Sequence, residues 1–125
     1  MKLYASSHEW VEIENGIATV GISQYASDEM GGLTYVELPE VGRRYEFGED
    51  FANIESHKDA ETIHSPVTGT VCEVNEKLET DQNDIDNDAE GKGWICKFKD
   101  VDEASVAGLM SKEDYIKSLP KDDQK

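Results

Sequence analysis

Basic side chains are scarce in this sequence. Lys and Arg together number 12 against 28 Asp and Glu, which gives a formal net charge of −16 at pH 7. No basic stripe is available to displace counterions from a phosphate backbone, so nucleic acid is a poor partner, and the same argument disfavours an anionic membrane surface. The excess of acid predicts protein partners that present basic surfaces.

Long apolar runs are missing as well. None approaches the ~20 residues that a bilayer-spanning helix needs, and the first ten residues contain neither an apolar signal core nor an Arg- and Ser-rich leader. We therefore expect an intracellular protein, or one whose targeting segment has been removed. The location would be cytoplasmic in a bacterium, and the matrix of a mitochondrion or related organelle in a eukaryote. The length of 125 residues predicts one domain over 1–120, followed by a solvated C-terminal end at 121–125.

Cysteine is too rare for a disulfide framework or a zinc site. Cys72 and Cys96 are far apart in strand-like segments, which predicts two buried thiols. The acidic segment 86–91 is spaced like the start of a calcium loop, but Lys97 stands at the twelfth position, where that motif requires Glu. We therefore expect no metal site, and we expect an acidic flexible loop over 81–94.

Short strand-like runs fill the first three-quarters of the chain, separated by Gly, Pro and Asn. An Asn15-Gly16 pair stands between two alternating runs and predicts a two-residue hairpin, because both turn positions favour positive φ. The pattern predicts a mainly β fold, a flattened antiparallel barrel or sandwich. The runs are 10–13, 17–22, 34–38, 51–54, 70–74 and 94–98.

Two short helices are predicted besides the strands. Ser23 is a suitable N-cap for a helix over 24–30, and Gly31 supplies a left-handed C-cap. Ser111 is a suitable N-cap for a C-terminal helix over 112–119.

Lys58 lies in the stretch ESHKDAETIHSP, where a hairpin tip would fall between two strand-like runs. The segments EVGRRYE (40–46) and EVNEKLE (73–79) form a weak internal repeat whose midpoint falls next to this lysine. Gly42 and Gly69 stand in turn signals on either side and would allow two half-barrels to close. Such a lysine could be presented to an enzyme that acylates its amine. A plain hairpin with an exposed lysine is the alternative that spacing alone leaves open.

Seven short motifs occur in the same order along the chain as in one known protein family. Together they make almost the whole chain resemble the glycine cleavage system H protein family. The motifs are HEW (8–10), VGI (20–22), YVELPEVG (35–42), ES-x-K (55–58), SPVTG (65–69), EVNEKL (73–78) and GKGW (91–94).

The resemblance implies a non-catalytic carrier with lipoic acid attached to Lys58 through an amide. Such a carrier takes the aminomethyl group of glycine from glycine decarboxylase (P protein) to a tetrahydrofolate-dependent aminomethyltransferase (T protein). Dihydrolipoyl dehydrogenase (L protein) then reoxidises it, and a lipoate ligase or lipoyltransferase attaches the cofactor. We expect a monomer that binds neither nucleic acid nor membrane. An H-like lipoyl relay that donates lipoate to other enzymes remains the alternative.

The resemblance also implies a cleft that shelters the loaded arm. Ser7 and Glu9 would contribute to it, with the Glu9 carboxylate facing the carried ammonium; an exposed acid at the start of a strand is the alternative for Glu9. Glu55, Ser56 and Glu61 would form the surroundings of the lysine.

The chain departs from the family pattern near the lysine and in the acidic segment. His57, Asp59 and Thr62 replace the usual residues, and His57 and His64 are expected to be exposed loop histidines. In 82–90, polar or small residues replace apolar ones. We expect that segment to cover the arm less tightly than in the family.

Overall fold

The computed structural model describes residues 2–120 and confirms a mainly β fold. Met1 and the expected solvated end at 121–125 lie outside the described residues. The strands are β1 (Lys2–Tyr4), β2 (Glu9–Glu14), β3 (Ile17–Ile22), β4 (Leu33–Glu37), β5 (Arg44–Tyr45), β6 (Asp50–Ser56), β7 (Ala60–His64), β8 (Thr68–Val74), β9 (Cys96–Asp102) and β10 (Met110–Ser111). The helices are α1 (Gln24–Met30), α2 (Asn83–Asp88) and α3 (Lys112–Ser118), with 3-10 turns at Glu76–Glu79 and Glu103–Val106.

The strands form two antiparallel sheets rather than one closed barrel. The larger sheet has the order β10-β1-β2-β3-β9-β8-β5, and the smaller has the order β4-β6-β7. Apolar side chains from both sheets form one buried core, which includes Val20, Ile54, Val71 and Phe98. Burial of this apolar surface is the main force that holds the sheets together.

The predicted hairpin and helix caps are confirmed. Asn15 and Gly16 have φ of 54° and 79° and connect β2 to β3. The Ser23 hydroxyl accepts a hydrogen bond from the Ala26 N–H at 3.1 Å, and Gly31 ends α1 with φ of 74°. At the C-terminus, the Ser111 hydroxyl accepts from the Asp114 N–H at 3.2 Å. Local sequence therefore set these boundaries, because each cap depends only on neighbouring residues.

The C-terminal helix is attached through a second, aromatic cluster. Tyr115 of α3 stacks on Tyr4 of β1 with ring centroids 4.7 Å apart. Trp10 and Leu119 complete the buried part of this cluster. The helix thus covers the outer end of the larger sheet.

The acidic segment differs most from the prediction. Instead of a flexible loop, it contains α2, and Ile85 and Ala89 are fully buried. The Trp10 indole N–H donates to the Ala89 carbonyl at 3.1 Å. The contacts that hold this segment come from residues distant in sequence, such as Trp10 and Ser27, so a composition dominated by Asp and Asn hid the packing.

Several smaller expectations are also corrected. The last predicted strand, 94–98, begins two residues later at Cys96. Cys96 is buried, and burial raises the pKa of its thiol, but Cys72 is only partly buried. The copies of the internal repeat take different structures, since Val41 is exposed before β5 whereas Val74 lies in β8. Within residues 2–120, no helix is long and apolar enough to cross a membrane.

Candidate functional site

Lys58 lies at the tip of the hairpin between β6 and β7. β6 ends at Ser56 and β7 begins at Ala60, which leaves residues 57–59 in the turn. The Ser56 N–H donates to the Asp59 carbonyl at 2.8 Å, and the Ser56 hydroxyl accepts from the Asp59 N–H at 3.2 Å. These bonds close the turn, so an exposed lysine is held on a defined backbone.

The lysine side chain passes close to the C-terminal end of α1. A Cβ built on Gly31 would lie 3.6 Å from Lys58 Cε and 3.7 Å from Nζ. Gly31, whose left-handed φ ends α1, is therefore also the residue that the aliphatic part of the Lys58 side chain approaches.

A cavity of about 480 Å³ opens beside Lys58, between α1 and the hairpin. Its floor is apolar, formed by Ile22, Ala26, Met30, Ile54 and Ile63. Carboxylates of Glu29, Asp59 and Glu61 also line it. A long apolar chain that ends in a cation fits this cavity. The apolar side chains would cover the chain, and the carboxylates would hold the charge. The residues present thus fit a lipoyl arm that carries an amine.

Ser7 lines this cavity, but Glu9 does not. Glu9 is only 1% exposed, which excludes an exposed strand-edge acid. One carboxylate oxygen accepts from the Ser7 hydroxyl, and the other accepts from the His64 N–H at 3.2 Å. Burial raises the pKa of Glu9, although both hydrogen bonds oppose the shift. Glu9 therefore lies behind Ser7 rather than facing the cavity as expected.

The buried carboxyl makes a prediction about pH. Because the folded-state pKa of Glu9 is raised above its ordinary value of 4.5, the stability linked to this group is fully present below that value and is lost as pH rises through the folded-state pKa. Glutamine does not titrate, and its amide can donate to Ser7 while its oxygen accepts from His64. We expect the free energy of unfolding of Glu9→Gln, minus that of wild type, to become more positive from about pH 4 to 7. Urea unfolding at both pH values measures this, and a constant difference would contradict it.

His8 was missed as a candidate by the sequence analysis, where it appeared only as part of the HEW motif. It lines the cavity, and its Nδ1 is 2.7 Å from the Tyr115 hydroxyl. Glu29 was missed too, because only tertiary contact brings the end of α1 to the lysine hairpin. The position of His8 between Ser7 and Glu9 was the one available signal.

The other predicted residues are distributed over several elements. Glu61 lines both the cavity and a shallower groove that also contains Glu55 and Tyr35. Gly42 is in a turn with φ of 92°, as expected. Gly69 lies within β8 instead, where a Cβ would come within 3.1 Å of the Lys99 carbonyl oxygen. Close backbone approach, not a turn, is therefore its role.

The structure also places the two predicted loop histidines and the acidic segment. His57 is exposed in the turn, but His64 ends β7, with its Nε2 3.2 Å from an Asp50 oxygen. Residues 82–90 do not line the cavity, and their weaker cover of the arm stays a prediction. Glu90 instead accepts from the Tyr4 hydroxyl and from the Gln24 N–H at 2.9 Å. Among residues 2–120, no group of three or more His, Cys, Asp or Glu is placed to hold a metal ion.

Comparison with known proteins gives consistent matches over the whole fold. A family model described as glycine cleavage H-protein matches residues 2–122. The glycine cleavage system H protein of Thermotoga maritima is 45% identical over 115 residues, covering 92% of this chain and 93% of that protein. The corresponding protein of Acinetobacter baylyi is 48% identical over 116 residues, covering 93% and 94%. A crystal structure of a glycine cleavage system H protein from Mycobacterium marinum superposes with a TM-score of 0.84 at 30% identity, covering 93% and 94%.

Proposed function

Because the chain belongs to the glycine cleavage H-protein family, a family of lipoyl carriers, we propose that Lys58 is its lipoyl attachment site. We propose further that the chain carries the aminomethyl group of glycine from the decarboxylase to the tetrahydrofolate-dependent transferase. The observation that supports this most directly is an exposed lysine on a hydrogen-bonded turn beside a cavity with an apolar floor and acidic walls.

Lipoate attached to Lys58 would supply the redox-active disulfide that takes up the aminomethyl group, and dihydrolipoyl dehydrogenase would restore that disulfide. The chain's own residues present and shelter the arm. The Ser56 hydroxyl accepts from the backbone N–H groups of Lys58 and Asp59, so a ligase would meet Lys58 on a defined turn. Ile54 and Ile63 offer an apolar surface to the folded-back arm, and Glu61 offers a charge for the carried ammonium. Glu9 would act from behind, by orienting the Ser7 hydroxyl.

Reconstitution tests the assignment. The purified chain is first treated with lipoate ligase, and intact mass should rise by one lipoyl group. The lipoylated protein is then combined with decarboxylase, transferase and dehydrogenase, and glycine-dependent reduction of NAD should require all four proteins. Lipoylation without glycine-dependent turnover, accompanied by transfer of lipoate to other acceptor domains, would favour the lipoyl relay.

Docking to these enzymes should depend on salt. The chain carries a net charge of −16, and acids surround the lysine at Glu55, Asp59 and Glu61. Each enzyme is therefore expected to present a basic rim, and long-range attraction should speed encounter until counterions screen it over ~8 Å near physiological salt. We expect the KM of the decarboxylase for the lipoylated carrier to rise at least roughly fivefold between about 20 mM and 500 mM NaCl. The control is the KM of the same enzyme for a small-molecule substrate, which should not change with salt. If the KM for the carrier stays constant as well, this mode of docking is excluded.

A further inference from the structure

His8 has a backbone conformation that two hydrogen bonds hold in place. Its φ of 80° lies in the left-handed region, which costs free energy for a residue other than glycine. The His8 N–H donates to the Ala5 carbonyl at 3.0 Å, and the His8 carbonyl accepts from the Ser23 N–H at 2.8 Å. Such conformations persist only where the surrounding structure holds them, and they are concentrated at functional sites.

The imidazole of His8 is equally constrained. Nδ1 lies 2.7 Å from the Tyr115 hydroxyl, which is itself 2.7 Å from the Ser23 hydroxyl. The ring centroid is 5.2 Å from that of Tyr25 on α1. The C-terminal helix and the start of α1 therefore fix the ring at the wall of the cavity.

Glu61 is the carboxylate that acts on His8 across this cavity. Burial lowers the pKa of His8, and the charge of Glu61 opposes that shift. Burial raises the pKa of Tyr115 to about 12, so its hydroxyl stays neutral at physiological pH. The neighbouring Glu9 carboxylate is engaged by Ser7 and the His64 N–H. The charged and titratable groups that line the cavity with His8 are Tyr25 and Glu29 of α1, Lys58 and Asp59 of the turn, and Glu61 of β7.

Modification of Lys58 changes the charge of this cavity in two steps. The unmodified lysine brings an ammonium group to the cavity wall. An amide at the same nitrogen is neutral, so attachment of an arm leaves the acids without that cation. An amine carried at the end of a folded-back arm would return a positive charge to the same acids.

We infer that His8 is a positioning residue that controls retention of a cationic group carried on Lys58. Neutral His8 leaves Glu61 to hold the carried ammonium, whereas protonated His8 attracts the charge of Glu61 and repels that ammonium. This rests on the proposed carrier function. By linkage, a carried ammonium that docks at Glu61 must also make His8 harder to protonate.

Proton NMR of the imidazole signals tests the linkage directly. The sequence contains three histidines, and His8→Asn identifies the signal of His8, because Asn also tolerates a left-handed φ. The pKa of His8 should rise on lipoylation, when the Lys58 charge is lost, and fall again when glycine and the decarboxylase load the arm. A His8 pKa that is identical in the empty and loaded lipoyl proteins would overturn the inference. A protein that never gains the mass of the carried group would instead overturn the proposed function.

The pH profile of retention provides an independent readout. Loss of the carried group from the isolated loaded protein is followed between about pH 5.5 and 8, and each variant is compared with wild type at the same pH. At the acid end, His8→Asn should retain the group roughly fivefold longer than wild type, because one charge repulsion is removed. His64→Gln is the matched control, since it removes an imidazole outside the cavity and should follow wild type. If His8→Asn and His64→Gln both give the wild-type profile, His8 does not control retention.

Discussion

Lys58→Arg should abolish lipoylation and every activity that depends on the arm, while the protein remains folded. Arginine keeps the positive charge and most of the aliphatic stem, but a guanidinium does not form the amide that a lysine amine forms. The side chain is exposed on a three-residue turn whose hydrogen bonds come from Ser56 and the backbone, so the fold loses no buried contact. Intact mass after incubation with lipoate ligase measures the modification, and glycine–bicarbonate exchange with the decarboxylase measures carrier activity.

The control is Lys92→Arg, which makes the same change at an exposed lysine that does not line the cavity. It should be lipoylated at the wild-type rate. The melting temperatures of both variants should lie within about 2 °C of wild type, since surface substitutions usually change stability by less than ~0.5 kcal/mol. Lipoylation of Lys58→Arg, or exchange activity in its presence, would show that another residue carries the arm.

Gly93→Ala should destabilise the protein strongly, although glycine to alanine is a small change. A Cβ at Gly93 would lie 2.7 Å from both the Asp84 carbonyl oxygen and Ile85 Cα. These are backbone atoms of α2, so neither can move without displacing the helix and the buried Ile85 side chain. Overpacking of this kind costs about 3 kcal/mol, which would lower the melting temperature by roughly 10 °C. Thermal unfolding followed by circular dichroism measures the change.

Gly108→Ala is the matched control for this prediction. A Cβ at Gly108 has no other atom within 4 Å, and its φ does not lie in the left-handed region. We expect its stability to stay within about 0.5 kcal/mol of wild type. Equal stability of the two variants would mean that the segment around α2 is loosely held, as the acidic composition had suggested. Because Gly93 is not among the residues that line the cavity, lipoylation of folded Gly93→Ala should remain normal.

Glu9 shows the limits of transferring a role along a motif. The HEW motif correctly placed Glu9 near the residues that line the cavity, because Ser7 and His8 both do so. It did not reveal that the carboxylate points back to the His64 N–H at the end of β7. That contact joins residues 55 positions apart in the chain. The Glu9 carboxyl group is therefore buried, although the sequence suggested that it was available to a ligand.

The sequence by itself determined the elements whose boundaries depend on neighbours. The Asn15-Gly16 turn and the caps at Ser23, Gly31 and Ser111 all follow from local backbone preferences, and the structure has each of them. The exposed lysine between two strands was also predictable, because the turn that carries it involves only a few consecutive residues.

Only the tertiary structure decided what surrounds that lysine. The cavity is lined by α1, the hairpin and the segment before β2. Its acids Glu29 and Glu61 are separated in the chain by the three strands β4, β5 and β6. The same holds for the end of α2, where the Trp10 indole donates to the carbonyl of the buried Ala89, 79 residues away in the chain. Apolar burial and long-range hydrogen bonds have no preferred sequence separation, so composition and periodicity could predict the strands but not the site that their packing creates.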